Sequence, residues 1–105
     1  ENPTSMSDSN VLFEIEREFG LSHSDFHRIF PRIEPTVERI SASRFAIARN
    51  DGRKLEIELS VEKIRKLGML KIPYMAITFR FFGWNDLQRA EFFKSFERSF
   101  QKGGG

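Results

Sequence analysis

The stretch that decides the fold reads RFAIARNDGRKLEIELSV, residues 44–61. Large apolar residues alternate with charged or small ones on both sides of the Asn-Asp-Gly segment at residues 50–52, a pattern typical of a β-hairpin. A two-residue turn would place Ala46 opposite Ile57, whereas a three-residue loop places Phe45 opposite Ile57. The three-residue loop brings the large apolar side chains to one face, so we predict that register.

Other segments also indicate strands. Residues 36–49, rich in β-branched and small side chains, are predicted to supply the first strand of the hairpin. Residues 11–19 alternate with a period of two and predict a half-buried strand, although their Glu and Leu content also suits a helix. Residues 61–68 fit either an extended chain or a short helical turn, and we expect the extended form.

The most apolar strand is predicted over residues 74–82. Ile77, Phe79 and Phe81 fall on one of its faces, which indicates a core strand. We expect it to begin after Pro73, because proline cannot donate to the ladder of a central strand.

Two helices are predicted from their start signals. Ser22 stands three residues before Asp25 in a capping-box pattern, and the helix that follows should end near residues 30–33. Asn85 precedes Gln88 by the same spacing and predicts a longer amphipathic helix that ends at Gly103. The apolar face of this second helix is a phenylalanine row: Phe92, Phe93, Phe96 and Phe100.

The order β-α-β-β-(β)-β-α predicts an α+β fold with a mainly antiparallel, twisted sheet and two helices packed on one face. We expect one domain over residues 11–102, a disordered segment over residues 1–10 and a mobile glycine tail over residues 103–105. A row of phenylalanines over a sheet can form a solid core or enclose a cavity for a small apolar ligand, and the sequence leaves both open.

Composition excludes several functional classes. The 105 residues include no cysteine, which excludes a disulfide scaffold, an iron–sulfur site and a thiol nucleophile. The net charge of +2 gives little support for a nucleic-acid partner. No apolar run reaches the roughly 18 residues of a membrane span, and no signal-peptide pattern is present. We therefore expect a soluble, cytoplasmic protein without a membrane partner.

The sharpest chemical pattern is a histidine pair. His23 and His27 are spaced i, i+4 on the first predicted helix, which places both imidazoles on one side of it, as metal ligation requires. No glutamate follows His23 directly, so the metalloprotease pattern is incomplete. Capping and surface roles explain the pair more simply, and we expect neither a metal nor another cofactor.

Aromatic residues interleaved with arginine suggest a second kind of site. A sheet face that carries Arg44, Arg80 and Phe82 could stack and bind single-stranded nucleic acid. Tyr74, Phe82 and Trp84, if exposed together, would instead form a patch for a protein partner or a homodimer. No catalytic constellation is recognisable, so we expect a binding or interaction module rather than an enzyme, with a protein partner or a small apolar ligand.

Overall fold

The computed structural model describes residues 12–104 of the chain, and it describes side chains as far as residue 100. Its elements in chain order are β1 (Leu12–Phe19), α1 (His23–Ile33), β2 (Glu38–Arg39), β3 (Arg44–Ala48), β4 (Lys54–Leu59), β5 (Lys63–Leu67), β6 (Leu70–Phe82) and α2 (Asp86–Gly104). This order confirms the predicted α+β fold. The expected disordered segment, residues 1–10, lies outside the described residues.

All strand pairs are antiparallel, and the main sheet has the order β1-β6-β4-β3-β2. The long strand β6 is central, because β1 pairs with it on one side and β4 on the other. Within residues 12–104, the short strand β5 pairs with the beginning of β6 and with no other strand. The first strand in the chain thus lies beside the last one, and all six described strands belong to a single sheet.

The β3–β4 hairpin has the predicted register. Phe45 pairs with Ile57 and Ile47 with Leu55, and all four side chains are buried. The N–H of Arg49 donates to the carbonyl oxygen of Arg53 at 2.8 Å. This bond closes a loop of three residues, 50–52.

Residues 36–49 do not form one strand. They divide into β2 and β3, because the N–H groups of Ile40 and Ser41 both turn back to the carbonyl of Arg44, at 2.8 and 3.1 Å. The hydroxyl of Ser41 also accepts from the N–H of Ser43 at 3.3 Å. Serine hydroxyls that bond to nearby backbone groups favour turns over strands, which explains the break.

Strand β6 starts at Leu70, before the predicted residue 74, and contains Pro73. β1 ends opposite Met75, so Pro73 lies beyond the part of β6 that has a strand on both sides. Its pairing with β5 is therefore that of an edge, where a missing N–H is tolerated. The extended form expected for residues 61–68 is confirmed by β5.

Both helices begin with the predicted capping boxes. Ser22 Oγ accepts from the N–H of Asp25 at 3.0 Å, and Asp25 Oδ2 accepts from the N–H of Ser22 at 3.3 Å. The Asn85–Gln88 pair repeats this exchange, with both distances 2.8 Å. Helix α2 continues through Gly104, one residue beyond its predicted end.

The two helices cover one face of the sheet with an aromatic core. The ring of Phe96 lies 5.2 Å from Phe19, 6.3 Å from Phe26 and 5.4 Å from Phe79, measured between ring centroids. The ring of Phe93 lies 4.9 Å from Phe79. The phenylalanine row of α2 thus rests directly on β6 and fills the space above it, so at this contact the core is solid.

Candidate interaction surfaces

The face of the sheet opposite the helices, called the open sheet face below, is acidic. Residues that pair directly across antiparallel strands point to the same side, so the register defines which side chains share this face. β5 adds Lys63 and Arg65 at one end of this face, but among the charged residues of the other five strands glutamates outnumber cations by three. These residues are Glu14, Glu16, Glu18, Glu38, Glu56 and Glu58, with Arg44, Lys54 and Arg80.

Arg80 lies at the centre of this face and is paired with carboxylates. Its Nη2 lies 3.1 Å from Oε1 of Glu58, and its Nε lies 3.5 Å from Oε2 of Glu14. Arg44 pairs across β3 and β4 with the same glutamate, Glu58, and both arginines line a depression of about 300 Å³. Phe82 is half-buried two residues further along β6. The structure thus places Arg44, Arg80 and Phe82 on one face but surrounds them with negative charge, which opposes a phosphate backbone.

Trp84 is buried rather than part of an exposed patch. Its side chain is 8% exposed, and its Nε1–H donates to the carbonyl of Lys54 at 3.0 Å. The guanidinium of Arg53 lies over its ring at 4.7 Å. Trp84 therefore joins the start of α2 to the β3–β4 hairpin. Tyr74 and Phe82 are half-buried and eight residues apart on one strand, roughly 26 Å, so the three aromatic residues do not meet.

The two histidines bind backbone carbonyls of neighbouring loops. Nε2 of His23 lies 2.7 Å from the carbonyl oxygen of Ser60, and Nε2 of His27 lies 2.9 Å from that of Ala42. A carbonyl oxygen only accepts, so each Nε2 carries its proton and is not available to a metal. The pair therefore fastens α1 to two loops of the sheet. Within residues 12–104, no three His, Cys, Asp or Glu side chains gather as metal ligands.

The ionisable groups with shifted pKa values take part in local structure. Burial opposes the charge of Asp25, but hydrogen bonds from Ser22 and Arg28 outweigh it and hold the pKa of Asp25 below its usual value. Two hydrogen bonds to Glu34, at 2.7 and 3.0 Å, raise the pKa of Arg49. The backbone N–H of Arg53 lowers the pKa of Asp51. These shifts arise at a helix cap, an ion pair and a hairpin loop.

One projecting element was not predicted from the sequence. Residues 61–72, here called the hairpin arm, comprise β5, a tight turn and the first residues of β6. Every residue from 61 to 71 is exposed, and the described molecule is elongated, 54 × 27 × 26 Å. Of the nine large hydrophobic residues that are exposed between residues 12 and 100, five lie in the arm: Val61 (70% exposed), Ile64 (54%), Leu67 (54%), Met69 (97%) and Leu70 (65%).

The hairpin arm is also cationic. It carries Lys63, Arg65, Lys66 and Lys71 against the single acid Glu62. Lys66 pairs directly with Lys71, a like-charge pair that costs stability unless an anion or solvent screens it. The guanidinium of Arg65 lies 4.4 Å from the ring centroid of Tyr74 and also forms an ion pair with Glu18 of β1. The sequence contained this signal, because apolar and cationic residues are concentrated in residues 61–72.

Comparison with protein-family models, with curated proteins and with solved structures gave no match for this chain. Among the described residues, neither helix combines the length and the apolar character that crossing a membrane requires. The fold and its surfaces therefore define only a class: a small α+β domain with an acidic open sheet face and a cationic, apolar hairpin arm.

Proposed function

We propose that the chain is a non-enzymatic binding module and that its hairpin arm docks onto a partner surface that is both anionic and partly apolar. One observation carries this proposal: the concentration of exposed large apolar residues and cations in residues 61–72. Apolar groups in water are unfavourable, and exposed clusters of them commonly mark interaction sites. The absence of cysteine is compatible with a cytoplasmic location, which we include in the same proposal.

The arm adds little to the core that could explain its composition. None of the buried core residues belongs to residues 61–72, whereas β4 and the later part of β6 supply many of them. Side chains such as Leu67 and Met69 are therefore not required to fold the sheet. Their exposure is better explained by contact with something outside the chain.

The sequence suggested other functions, and each would use a different surface. Single-stranded nucleic acid would use Arg44, Arg80 and Phe82, a metal would use His23 and His27, and a small apolar ligand would enter the phenylalanine core. The carboxylates around Arg80 and the carbonyl partners of the histidines make the first two less favourable than the arm. The sequence also suggested a homodimer, through a patch of Tyr74, Phe82 and Trp84.

Amide NMR of the full chain tests which surface binds. Three probes are added separately at low salt: zinc, a mixed single-stranded oligonucleotide, and dodecyl phosphate below its micelle concentration. Dodecyl phosphate combines a negative charge with an alkyl chain, so we expect it to shift resonances of residues 61–72 and few others. Shifts at Arg80 and Phe82 with the oligonucleotide, or at His23 and His27 with zinc, without shifts in the arm, would overturn the proposal.

A pair of variants identifies the contribution of charge. Lys66→Ser removes a cation of the arm, and Lys94→Ser removes an exposed cation of α2. We expect the first to weaken dodecyl phosphate binding and the second to leave it unchanged. Equal effects would indicate attraction by overall charge and would contradict docking through the arm.

A further inference from the structure

We propose, on the basis of the function proposed above, that the partner of the hairpin arm is the surface of an anionic lipid bilayer. In this arrangement the tip of the arm, residues 67–70, inserts among the lipid headgroups, and the cations behind it bind lipid phosphates and carboxylates. The expectation that the protein has no membrane partner came from the lack of a spanning segment, and surface binding needs none.

The distribution of side chains along the arm supports a bilayer. Leu67 pairs with Leu70 at the last position of the β5–β6 ladder, and Met69 lies in the turn between them. These three residues are 54%, 65% and 97% exposed, so the extreme end of the arm is apolar. The next pair back from the tip is Lys66 with Lys71, both exposed.

An apolar tip followed by cations matches the layers of a bilayer interface. Strand residues advance by about 3.4 Å, so the cations at positions 63 to 66 lie within roughly 15 Å of the tip. Interfacial elements bury their apolar groups about 5–10 Å into the headgroup and acyl boundary, where basic side chains meet anionic lipids. The order of the apolar tip and the cations, and the distance between them, therefore match the order and depth of the layers at a bilayer surface.

A groove on a protein would require a different distribution. Docking into a groove or beside a strand selects one apolar face of an element and a polar opposite face. In the arm, Lys63 and Arg65 share one face with Leu67, whereas Ile64 and Lys66 share the other. Apolar and cationic residues are thus present on both faces, with the apolar tip at residues 67–70 ahead of the cations and Ile64 among them.

The turn is narrow enough to enter an interface. Gly68 has φ +62°, a left-handed conformation that glycine adopts without strain, and only residues 68 and 69 separate the last paired residues. The acidic open sheet face would be repelled by an anionic surface. Electrostatics therefore favours an orientation in which the arm points to the bilayer and the glutamates of the open sheet face stay away from it.

Vesicle sedimentation tests whether the full chain binds lipid. We expect it to pellet with vesicles of phosphatidylcholine and phosphatidylserine, not with phosphatidylcholine alone, and to be released as salt is raised. Lys66→Ser should weaken binding about fivefold, the effect of one interfacial cation, whereas Lys94→Ser should not. Combined replacement of Leu67, Met69 and Leu70 by serine should abolish binding while the circular dichroism spectrum stays that of the parent.

A fluorescent label reports which part of the molecule enters the bilayer. The chain has no cysteine, so Met69→Cys and Leu87→Cys each provide a single site for an environment-sensitive dye. Leu87 is 67% exposed on α2 and serves as the control. We expect a blue shift on anionic vesicles, and quenching by brominated lipid chains, only for the label at position 69.

The outcomes separate this inference from the proposed function. If dodecyl phosphate shifts residues 61–72 but the chain does not bind anionic vesicles, the arm recognises an anionic, apolar surface that is not a bilayer, and the inference is wrong. If neither probe acts on the arm, both proposals fail. Vesicle binding that survives the triple serine variant, or that buries the label at position 87 instead, would also overturn the inference.

Discussion

At the scale of single residues, the capping box of α1 links sequence, stability and pH. Asp25 accepts from the backbone N–H of Ser22 and pairs with Arg28 at 3.0 Å, at the positive end of the helix dipole. Burial opposes the charged carboxylate, but the hydrogen bonds from Ser22 and Arg28 and the charge of Arg28 outweigh burial and lower the pKa of Asp25. Asp25 therefore stabilises the fold above its unfolded pKa, and this contribution is lost as the pH falls through the lower folded pKa.

Asp25→Asn is expected to lower the free energy of unfolding by about 0.5 kcal/mol at pH 7, since it keeps the shape of the side chain and removes its charge. The difference from the parent should disappear at acid pH, where the parent carboxyl is protonated too. Urea unfolding at pH 7 and at acid pH measures the difference in the free energy of unfolding between the variant and the parent. Glu91→Gln removes an exposed carboxylate from α2 and is the control. A loss in Asp25→Asn that is equal at both pH values would show that charge is not its cause.

Residue roles could be predicted where their partners are close in sequence. The Ser22–Asp25 pair is three residues apart, so spacing alone identified it. The partners of His23 and His27 are carbonyls 37 and 15 residues away, and only the folded chain brings them together. Spacing correctly placed the two imidazoles on one helix, yet it gave no information on what each of them would bond.

At the scale of elements, α2 is held by its phenylalanine row. Phe96 is fully buried and its ring contacts aromatic rings from β1, α1 and β6. This side chain therefore joins both helices to the sheet. Its removal would leave a cavity at the point where these elements meet, and close-packed surroundings relax into such a space only in part.

Phe96→Ala is expected to destabilise the domain by about 3–5 kcal/mol, the usual cost for a buried phenylalanine. Leu87→Ala removes a side chain from the same helix that is 67% exposed, and it should change stability by no more than about 0.5 kcal/mol. Thermal or urea unfolding of both variants compares them. Similar losses would mean that the helix is stabilised by its own propensity rather than by packing.

The register of the β3–β4 hairpin could be predicted because the loop and the apolar alternation permit one solution that buries Phe45 and Ile47. The division between β2 and β3 could not be predicted in the same way. It depends on two backbone N–H groups that share the carbonyl of Arg44, a contact that side-chain periodicity does not encode. The predicted start of β6 was also too late, because proline was expected to be excluded from a central strand. β1 ends opposite Met75, so β6 is not central at Pro73, and the sequence alone does not show this.

At the scale of the whole molecule, β1 is an edge of the sheet. Among the described residues it pairs with β6 alone. A second copy that paired antiparallel with this edge, centred on Glu16 and with sheet face matched to sheet face, would bring Glu16 opposite Glu16 and Glu14 opposite Glu18. Like charges directly opposite are destabilising, and charged edges protect sheets from association.

Glu14→Thr combined with Glu16→Thr should therefore make the protein associate through β1. The control, Glu56→Thr combined with Glu58→Thr, removes the same charge from the inner strand β4, and each pair includes one carboxylate bonded to Arg80. Sedimentation velocity over a range of concentrations should show dimers or larger species for the edge variant alone. Monomers in both cases would show that the glutamates do not protect this edge.

The surfaces were harder to predict than the fold, because exposure is a property of the assembled molecule. Trp84 and Tyr74 are aromatic residues next to Gly83 and Pro73, at the predicted ends of a strand, which suggested an exposed patch. In the folded chain Trp84 is buried, and the length of β6 separates Tyr74 from Phe82. For residues 61–68 the sequence pattern addressed only the choice between a strand and a helical turn. Their projection from the domain follows from the early end of β1 at Phe19, far away in sequence.

The separation of the hairpin arm from the core has a consequence for how the sequence can change over evolution. Residues 61–72 supply none of the buried core residues, so replacing their side chains leaves the packing around Phe79 and Phe96 intact. Apart from Glu62, whose Oε1 accepts from the N–H of His23 at 2.9 Å, and Arg65, which pairs with Glu18, the arm can therefore change without a compensating change elsewhere. Related chains with this fold are expected to differ most in the arm and to retain the phenylalanines of β6 and α2, so that new partners can be acquired without loss of foldability.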